Sequence, residues 1–126
     1  MLVALYHYNI RSEKKTMYKL RDFYTNIVGL EIKYRPPYES DGFWLYIGDK
    51  DVLHLAETKS GDKKEHNVNT TFDHAAFKAK NIEKYVDILK NNNIDFYTRV
   101  VPKIGKKQIF FKDPVGNGIE LYFIDS

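Results

Sequence analysis

The spacing of apolar residues along the chain predicts two helices in a sequence that otherwise consists of strands. From Lys14 to Val28 the apolar residues recur every three or four positions, as on one face of a helix, and they are Met17, Leu20, Tyr24 and Ile27. Gly29 follows at a position where helices favour a left-handed residue. A second helix is predicted for Ile82–Lys90, because Asn81 is a favourable N-cap and an apolar face follows it.

The remaining periodic segments predict eight strands. They are Leu2–Ile10, Glu31–Tyr34, Phe43–Gly48, Val52–Glu57, Phe72–Lys78, Asp95–Val100, Gln108–Lys112 and Gly118–Ile124. The element order is therefore strand, helix and three strands, followed by the same order again. We predict an α+β fold of two tandem βαβββ modules that form a curled half-barrel sheet.

A polar segment without periodicity, "TKSGDKKEHNVNTT", separates the two halves. A loop of this length within one domain is uncommon unless it links units or serves a function. We interpret residues 1–126 as a single domain made of module 1 (1–57), a linker (58–71) and module 2 (72–126).

Composition and charge narrow the classes of function. Hydrophobic residues make up 43% of the 126 residues, which is enough for a core, and the chain has no cysteine for a disulfide or thiolate site. The net charge of +3 arises mostly from lysines interleaved with acids, whereas nucleic-acid-binding proteins concentrate basic residues in one stripe. No apolar run is long enough to span a bilayer, and the first ten residues lack the features of a signal peptide. We therefore expect no nucleic-acid partner, no membrane association and a cytoplasmic location.

The two halves can be overlaid, and the overlay aligns four potential metal ligands. "LYHYNI" falls on "FDHAAF", so that His7 matches His74, and "VLHLAE" falls on "GIELYF", so that His54 matches Glu120. One residue of each pair lies on the first predicted strand of its module and the other on the last. If those strands are neighbours in a curled sheet, both side chains can point into the same concavity.

Three imidazoles and one carboxylate favour a metal site over a set of isolated structural histidines. Burial of three histidines without partners would be costly, and coordination of one divalent ion would satisfy all of them. Mixed nitrogen and oxygen donors suit Zn, Ni, Fe, Mn or Co. The fourth histidine, His66, lies in the polar linker, where we expect a solvated side chain.

The arrangement resembles the vicinal oxygen chelate superfamily, which includes glyoxalase I, ring-cleaving dioxygenases, methylmalonyl-CoA epimerase, and the fosfomycin- and bleomycin-resistance proteins. The most specific pieces are "RDFYTNIVGLEI" and "FFKDPVGNGIELYF", and the whole chain resembles the small glyoxalase-like bacterial proteins. The resemblance implies metal ligands at His7, His54, His74 and Glu120. It also implies that Glu120 moves a proton in the isomerase members.

The function implied by the resemblance is a metal-dependent lyase or isomerase of glyoxalase type. Its substrate would be a small molecule with vicinal oxygens, in a pocket for which we predict Trp44, Tyr46, Phe110, Tyr122 and Arg11. The alternatives are a ring-cleaving dioxygenase, for which His54 would be an additional ligand, and a binding protein of the bleomycin-resistance kind. Family members often build the site from two chains, and we expect a two-fold homodimer.

Overall fold

The structure is a computed structural model that describes residues 1–60 and 62–126. The chain divides into two compact units, Met1–Glu65 and His66–Ser126. Within the described ranges, each unit contains one α-helix and four strands in the order β, α, β, β, β, which confirms the predicted fold class. Among the described residues, no helix is long and apolar enough to cross a membrane.

The first unit contains one four-stranded mixed sheet. Its elements are β1 (Tyr8–Ser12), α1 (Lys14–Phe23), a π-helical turn (Tyr24–Val28), β2 (Glu31–Lys33), β3 (Gly42–Ile47) and β4 (Lys50–Glu57). The strand order is β1-β4-β3-β2. Strand β4 therefore lies between β1, to which it is parallel, and β3, to which it is antiparallel.

The second unit repeats this topology. Its elements are β5 (His74–Ala79), α2 (Ile82–Asn91), β6 (Phe96–Val100), β7 (Lys107–Lys112) and β8 (Gly118–Phe123). The strand order is β5-β8-β7-β6, with β5 parallel to β8 and the other pairs antiparallel. The Asn81 side chain caps α2 by accepting a hydrogen bond from the Lys84 amide at 3.2 Å, as the sequence predicts.

The core of each unit lies between its helix and the last strand of its sheet. Met17 and Leu20 of α1 are fully buried, as are Leu53 and Leu55 of β4. The corresponding core residues of the second unit are Leu89, Ile109, Ile119, Leu121 and Phe123. Successive side chains of a strand point to opposite faces. His54, between Leu53 and Leu55, therefore points away from the core, as does Glu120, between Ile119 and Leu121.

The long first helix is interrupted at its end, where the sequence predicts a continuous α-helix to Val28. The carbonyl of Tyr24 accepts hydrogen bonds from the amides of both Gly29, at 3.0 Å, and Leu30, at 2.9 Å. Gly29 has φ 100°, the left-handed conformation that a glycine adopts without a Cβ penalty. The wider turn thus ends the helix at the predicted glycine with a different hydrogen-bond pattern.

The first strand is shorter at its N-terminus than the apolar run Leu2–Ile10 predicts. Strand β1 begins at Tyr8, which pairs with Leu53, and the preceding residues pair with no strand in the described part of the chain. Leu2 and Val3 are almost wholly exposed. Apolar alternation produces a strand only where a neighbouring strand is available to pair with it. The prediction that His7 lies within the strand is wrong, since it immediately precedes β1.

Candidate metal centre

The strand register supports the sequence overlay that aligns the predicted ligands. In the first unit His54 pairs with Asn9, two residues after His7. In the second unit Glu120 pairs with Ala76, two residues after His74. The neighbouring antiparallel pairs also correspond, since Trp44 lies opposite His54 and Phe110 lies opposite Glu120. The four side chains therefore occupy equivalent places in the two modules.

In the first unit His7 and His54 stack on one another. Their ring centroids are 3.6 Å apart with an interplanar angle of 17°. Trp44 stacks on His54 at 4.0 Å and 9°. His54 is buried, and the Nδ1 atom of His7 is buried without a hydrogen-bond partner in the described part of the chain. An unpartnered imidazole nitrogen beside a second imidazole offers the type of donor that a divalent metal ion binds.

Asp51 joins these two histidines, and sequence reasoning missed it. Its Oδ2 atom lies 2.7 Å from Nε2 of His54 and accepts a hydrogen bond from the Tyr6 hydroxyl, also at 2.7 Å. The potential ligand atoms of His7, Asp51 and His54 all lie within 4.8 Å of one another. The first unit thus holds two nitrogen donors and one oxygen donor in a single cluster.

A β-bulge brings Asp51 to the same face of the sheet as His54. Residues three apart on a regular strand point to opposite faces. Here Leu45 pairs with Leu53 but Tyr46 pairs with Asp51, so one step along β3 corresponds to two steps along β4. The extra residue shifts the alternation and turns Asp51 toward His54. The sequence predicts a strand on either side of this point, Phe43–Gly48 and Val52–Glu57, but it does not show the bulge.

In the second unit His74 bridges two carboxylates. Its Nδ1 lies 2.7 Å from an Asp73 oxygen and its Nε2 lies 2.9 Å from Oε1 of Glu120. An imidazolium that donates from both nitrogens satisfies both contacts, and a cation bound here would replace the proton on Nε2. Glu120 is buried, and its Oε2 accepts a hydrogen bond from the Gln108 side chain at 3.0 Å.

The surroundings shift the pKa values of the histidines in opposite directions. Burial lowers the pKa of His54 below 6.5, against the opposing effect of the Asp51 carboxylate. The hydrogen bond to Asp73 raises the pKa of His74, and Glu120 contributes in the same direction. For Asp51, burial opposes ionisation, but the hydrogen bonds from Tyr6 and His54 prevail and its pKa is lowered. In metal-free protein, the pKa of His54 is therefore lower than that of His74, and His54 loses its proton first as pH rises.

The predicted pocket residues are distributed over two cavities, one in each unit. Trp44 and Arg11 line a cavity of about 190 Å³ beside His54. Phe110 lines a cavity of about 490 Å³ beside His74, where it stacks on Tyr97 at 4.9 Å and 13°. The other two predicted residues, Tyr46 and Tyr122, line neither of these cavities, and their part in a pocket stays a prediction. As expected for a solvated residue, His66 is exposed.

A model of the Glyoxalase/Bleomycin resistance protein/Dioxygenase superfamily matches residues 14–121. The chain is a member of this superfamily. The match covers most of both modules, so the family assignment applies to the repeat as a whole and confirms the resemblance seen in the sequence. A comparison with curated proteins finds no significant match.

Several solved structures share the fold over nearly the whole chain. The glyoxalase family protein from Enterococcus faecalis is 26% identical with a TM-score of 0.64, and the match covers 94% of this chain and 96% of that one. A variant of the fosfomycin resistance protein FosX from Listeria monocytogenes, complexed with Mn(II) and a dihydroxypropylphosphonic acid, is 20% identical with a TM-score of 0.68 (97% and 93% covered). Lactoylglutathione lyase from Agrobacterium tumefaciens is 16% identical with a TM-score of 0.67 (96% and 93% covered). At 20% identity or less, the last two comparisons show a shared fold only.

Proposed function

We propose that the protein is a metal-dependent lyase or isomerase of glyoxalase type that acts on a small molecule with vicinal oxygens. The observation that carries the proposal is the pairing of potential ligands at equivalent positions of both modules. His7 stacks on His54 in the first, and His74 contacts Glu120 in the second. A structural role for one histidine would not require the second module to repeat the arrangement.

The four proposed ligands have the chemistry of a site for one divalent ion. His7, His54 and His74 offer nitrogen atoms and Glu120 offers oxygen, a mixture that suits Zn, Ni, Fe, Mn or Co. The buried and unpartnered Nδ1 of His7 gives independent support. When bound, the ion would supply Lewis acidity that stabilises negative charge on a substrate oxygen.

Glu120 is the residue that we propose to move a proton. Its carboxylate is buried, which favours proton exchange with a substrate over exchange with solvent. Gln108 donates to one of its oxygens, while the other oxygen faces His74. Gln108 therefore fixes the orientation of the carboxylate and leaves the second oxygen to hold or transfer the proton.

The contact between Asp51 and His54 favours a ring-cleaving dioxygenase as the second candidate. Nε2 of His54 already contacts Asp51 at 2.7 Å. If His54 therefore does not bind the ion, the remaining ligands are His7, His74 and Glu120. Two histidines and one carboxylate leave positions open for both a catechol and oxygen.

Metal analysis of protein purified without a histidine tag tests the donor set. We expect one equivalent of a divalent ion in the wild type and in His66→Ala, and none in His74→Ala, since alanine offers no lone pair. Equal metal content in the two variants would refute the assignment.

A panel of hemithioacetals, catechols and epoxides, tested with Zn-, Ni-, Mn- and Fe(II)-loaded protein, tests the reaction. We expect turnover of a hemithioacetal with Ni or Zn, reduced about 10²- to 10⁴-fold in Glu120→Gln. Oxygen uptake with a catechol would establish the dioxygenase instead. Binding without turnover of any compound would favour a binding protein of the bleomycin-resistance kind.

We also propose a two-fold homodimer. The N-terminal segment leaves Met1, Leu2, Val3 and Leu5 at least 93% exposed, and a second copy of the chain would cover such apolar side chains. A dimer mass in light scattering at micromolar concentration is the expected result, and a monomer mass would contradict it.

A further inference from the structure

The cavity beside His54 carries two arginines and no acidic residue. It has a volume of about 190 Å³ and lies wholly within the first unit. Its lining residues are Asn9, Arg11, Arg35, Tyr38, Ser40, Trp44, His54, Leu55 and Ala56. A concave surface with two positive charges and no acid among its described lining residues is electrostatically suited to an anion.

The guanidinium of Arg35 is held in place but retains unused donors. Its Nη1 donates to the Ser40 carbonyl at 3.0 Å, and its Cζ lies 4.9 Å from the centre of the Tyr38 ring. The Nε atom is buried and has no hydrogen-bond partner among the described residues. A guanidinium has five N–H donors, and Arg35 lines the cavity. Donors beyond the one that Ser40 uses are therefore left for an oxygen ligand.

Neither arginine forms an ion pair in the described part of the chain. Arg11 instead donates from Nη1 to the Glu57 carbonyl at 2.8 Å. Asp41 lies nearby in the sequence, but its carboxylate pairs with Lys14 at 2.6 Å. Arg35 still acts on Asp41 electrostatically, but in the described part of the chain no carboxylate is paired directly with either guanidinium of the cavity.

Gly42 supplies the space that the Arg35 guanidinium occupies. A Cβ atom at this position would lie 2.8 Å from Nη2 of Arg35 and 2.4 Å from the Leu55 carbonyl oxygen. Any larger residue would displace the guanidinium or the backbone. The guanidinium of Arg35 therefore packs closely against the backbone at Gly42, and a side chain at that position would exclude it.

We propose that this cavity binds an oxyanion group of the substrate, a carboxylate, phosphate or phosphonate, with Arg35 as its principal donor and Arg11 as its second. His54 and Trp44 line the same cavity, so the anion would be held beside the predicted metal ligands. The forked guanidinium matches two oxygens of such a group. The proposal that the bound anion is part of the substrate rests on the proposed function. The proposal that the cavity binds an anion does not.

The test uses chelator-treated, metal-free protein titrated separately with inorganic phosphate and with acetate at constant ionic strength. Trp44 is the single tryptophan of the chain and lines the cavity, so its fluorescence reports on occupancy. We expect saturable binding at millimolar concentrations, weakened about 10-fold or more in Arg35→Gln through loss of charged hydrogen bonds. Arg99→Gln removes the same charge from strand β6 of the other unit and should bind as the wild type does.

Two further variants keep the result interpretable. Arg35→Lys retains the charge without the fork and should still weaken binding, and Arg11→Gln should do so to a smaller extent. Equal binding by Arg35→Gln and the wild type, or equal losses in Arg35→Gln and Arg99→Gln, would refute the proposal. The metal analysis described above is independent, so failure of anion binding with normal metal content would overturn this inference alone.

Discussion

Replacement of Asp51 by asparagine should weaken metal binding although Asp51 is not one of the repeat-equivalent ligands. The carboxylate contacts Nε2 of His54 at 2.7 Å and is itself held by the Tyr6 hydroxyl. Asparagine has nearly the same shape but lacks the negative charge that attracts this imidazole and the ion. Loss of such a supporting group typically reduces metal affinity about 10- to 100-fold. That loss corresponds to about 1.4–2.7 kcal/mol.

Competition between the protein and a chromophoric chelator for Zn²⁺ measures this change directly. Asp49→Asn is the matched control, since Asp49 is exposed and lies two residues away in the same hairpin. Tyr6→Phe removes only the hydroxyl that holds Asp51, and it should reduce the affinity for Zn²⁺ less than Asp51→Asn does. If Asp51→Asn binds Zn²⁺ as tightly as Asp49→Asn, then the cluster of His7, Asp51 and His54 does not belong to the metal site.

Three further results are expected. In metal-free protein, the NMR titration of ring protons should give His74 a pKa above 6.5 and His54 a pKa below it, and the reverse order would contradict the hydrogen-bond assignments. Because the folded-state pKa of His74 is raised mainly by Asp73, its stabilisation is present below pH 6.5 and is lost as pH rises through the folded value. Asp73→Asn should therefore lower the urea midpoint in acid and leave it unchanged in alkali. Gly29→Ala should destabilise the fold by about 1–2 kcal/mol because φ is 100°, and Gly29→Asn by less; an alanine variant with the wild-type melting temperature would contradict this.

The sequence alone determined the repeat and the positions of the potential ligands. The spacing of apolar residues indicates which side chains share a face of a helix or strand. This spacing was enough to predict two helices and the strands of both modules. Equivalent positions in the two halves then singled out His7, His54, His74 and Glu120. The observed strand register agrees with that overlay because hydrophobic alternation fixes which residues of neighbouring strands lie opposite one another.

Tertiary structure decided what surrounds those positions. The bulge that turns Asp51 toward His54 changes the phase of alternation, and no pattern within β4 signals it. The apolar run at Leu2 forms no strand because pairing depends on a neighbour elsewhere in the chain. The unpartnered Nε of Arg35 depends on Gly42, Ser40 and Tyr38 lying around one guanidinium. Each of these features depends on contacts between segments that are separate in the sequence. The periodicity of one segment carries no information about which other segment packs against it.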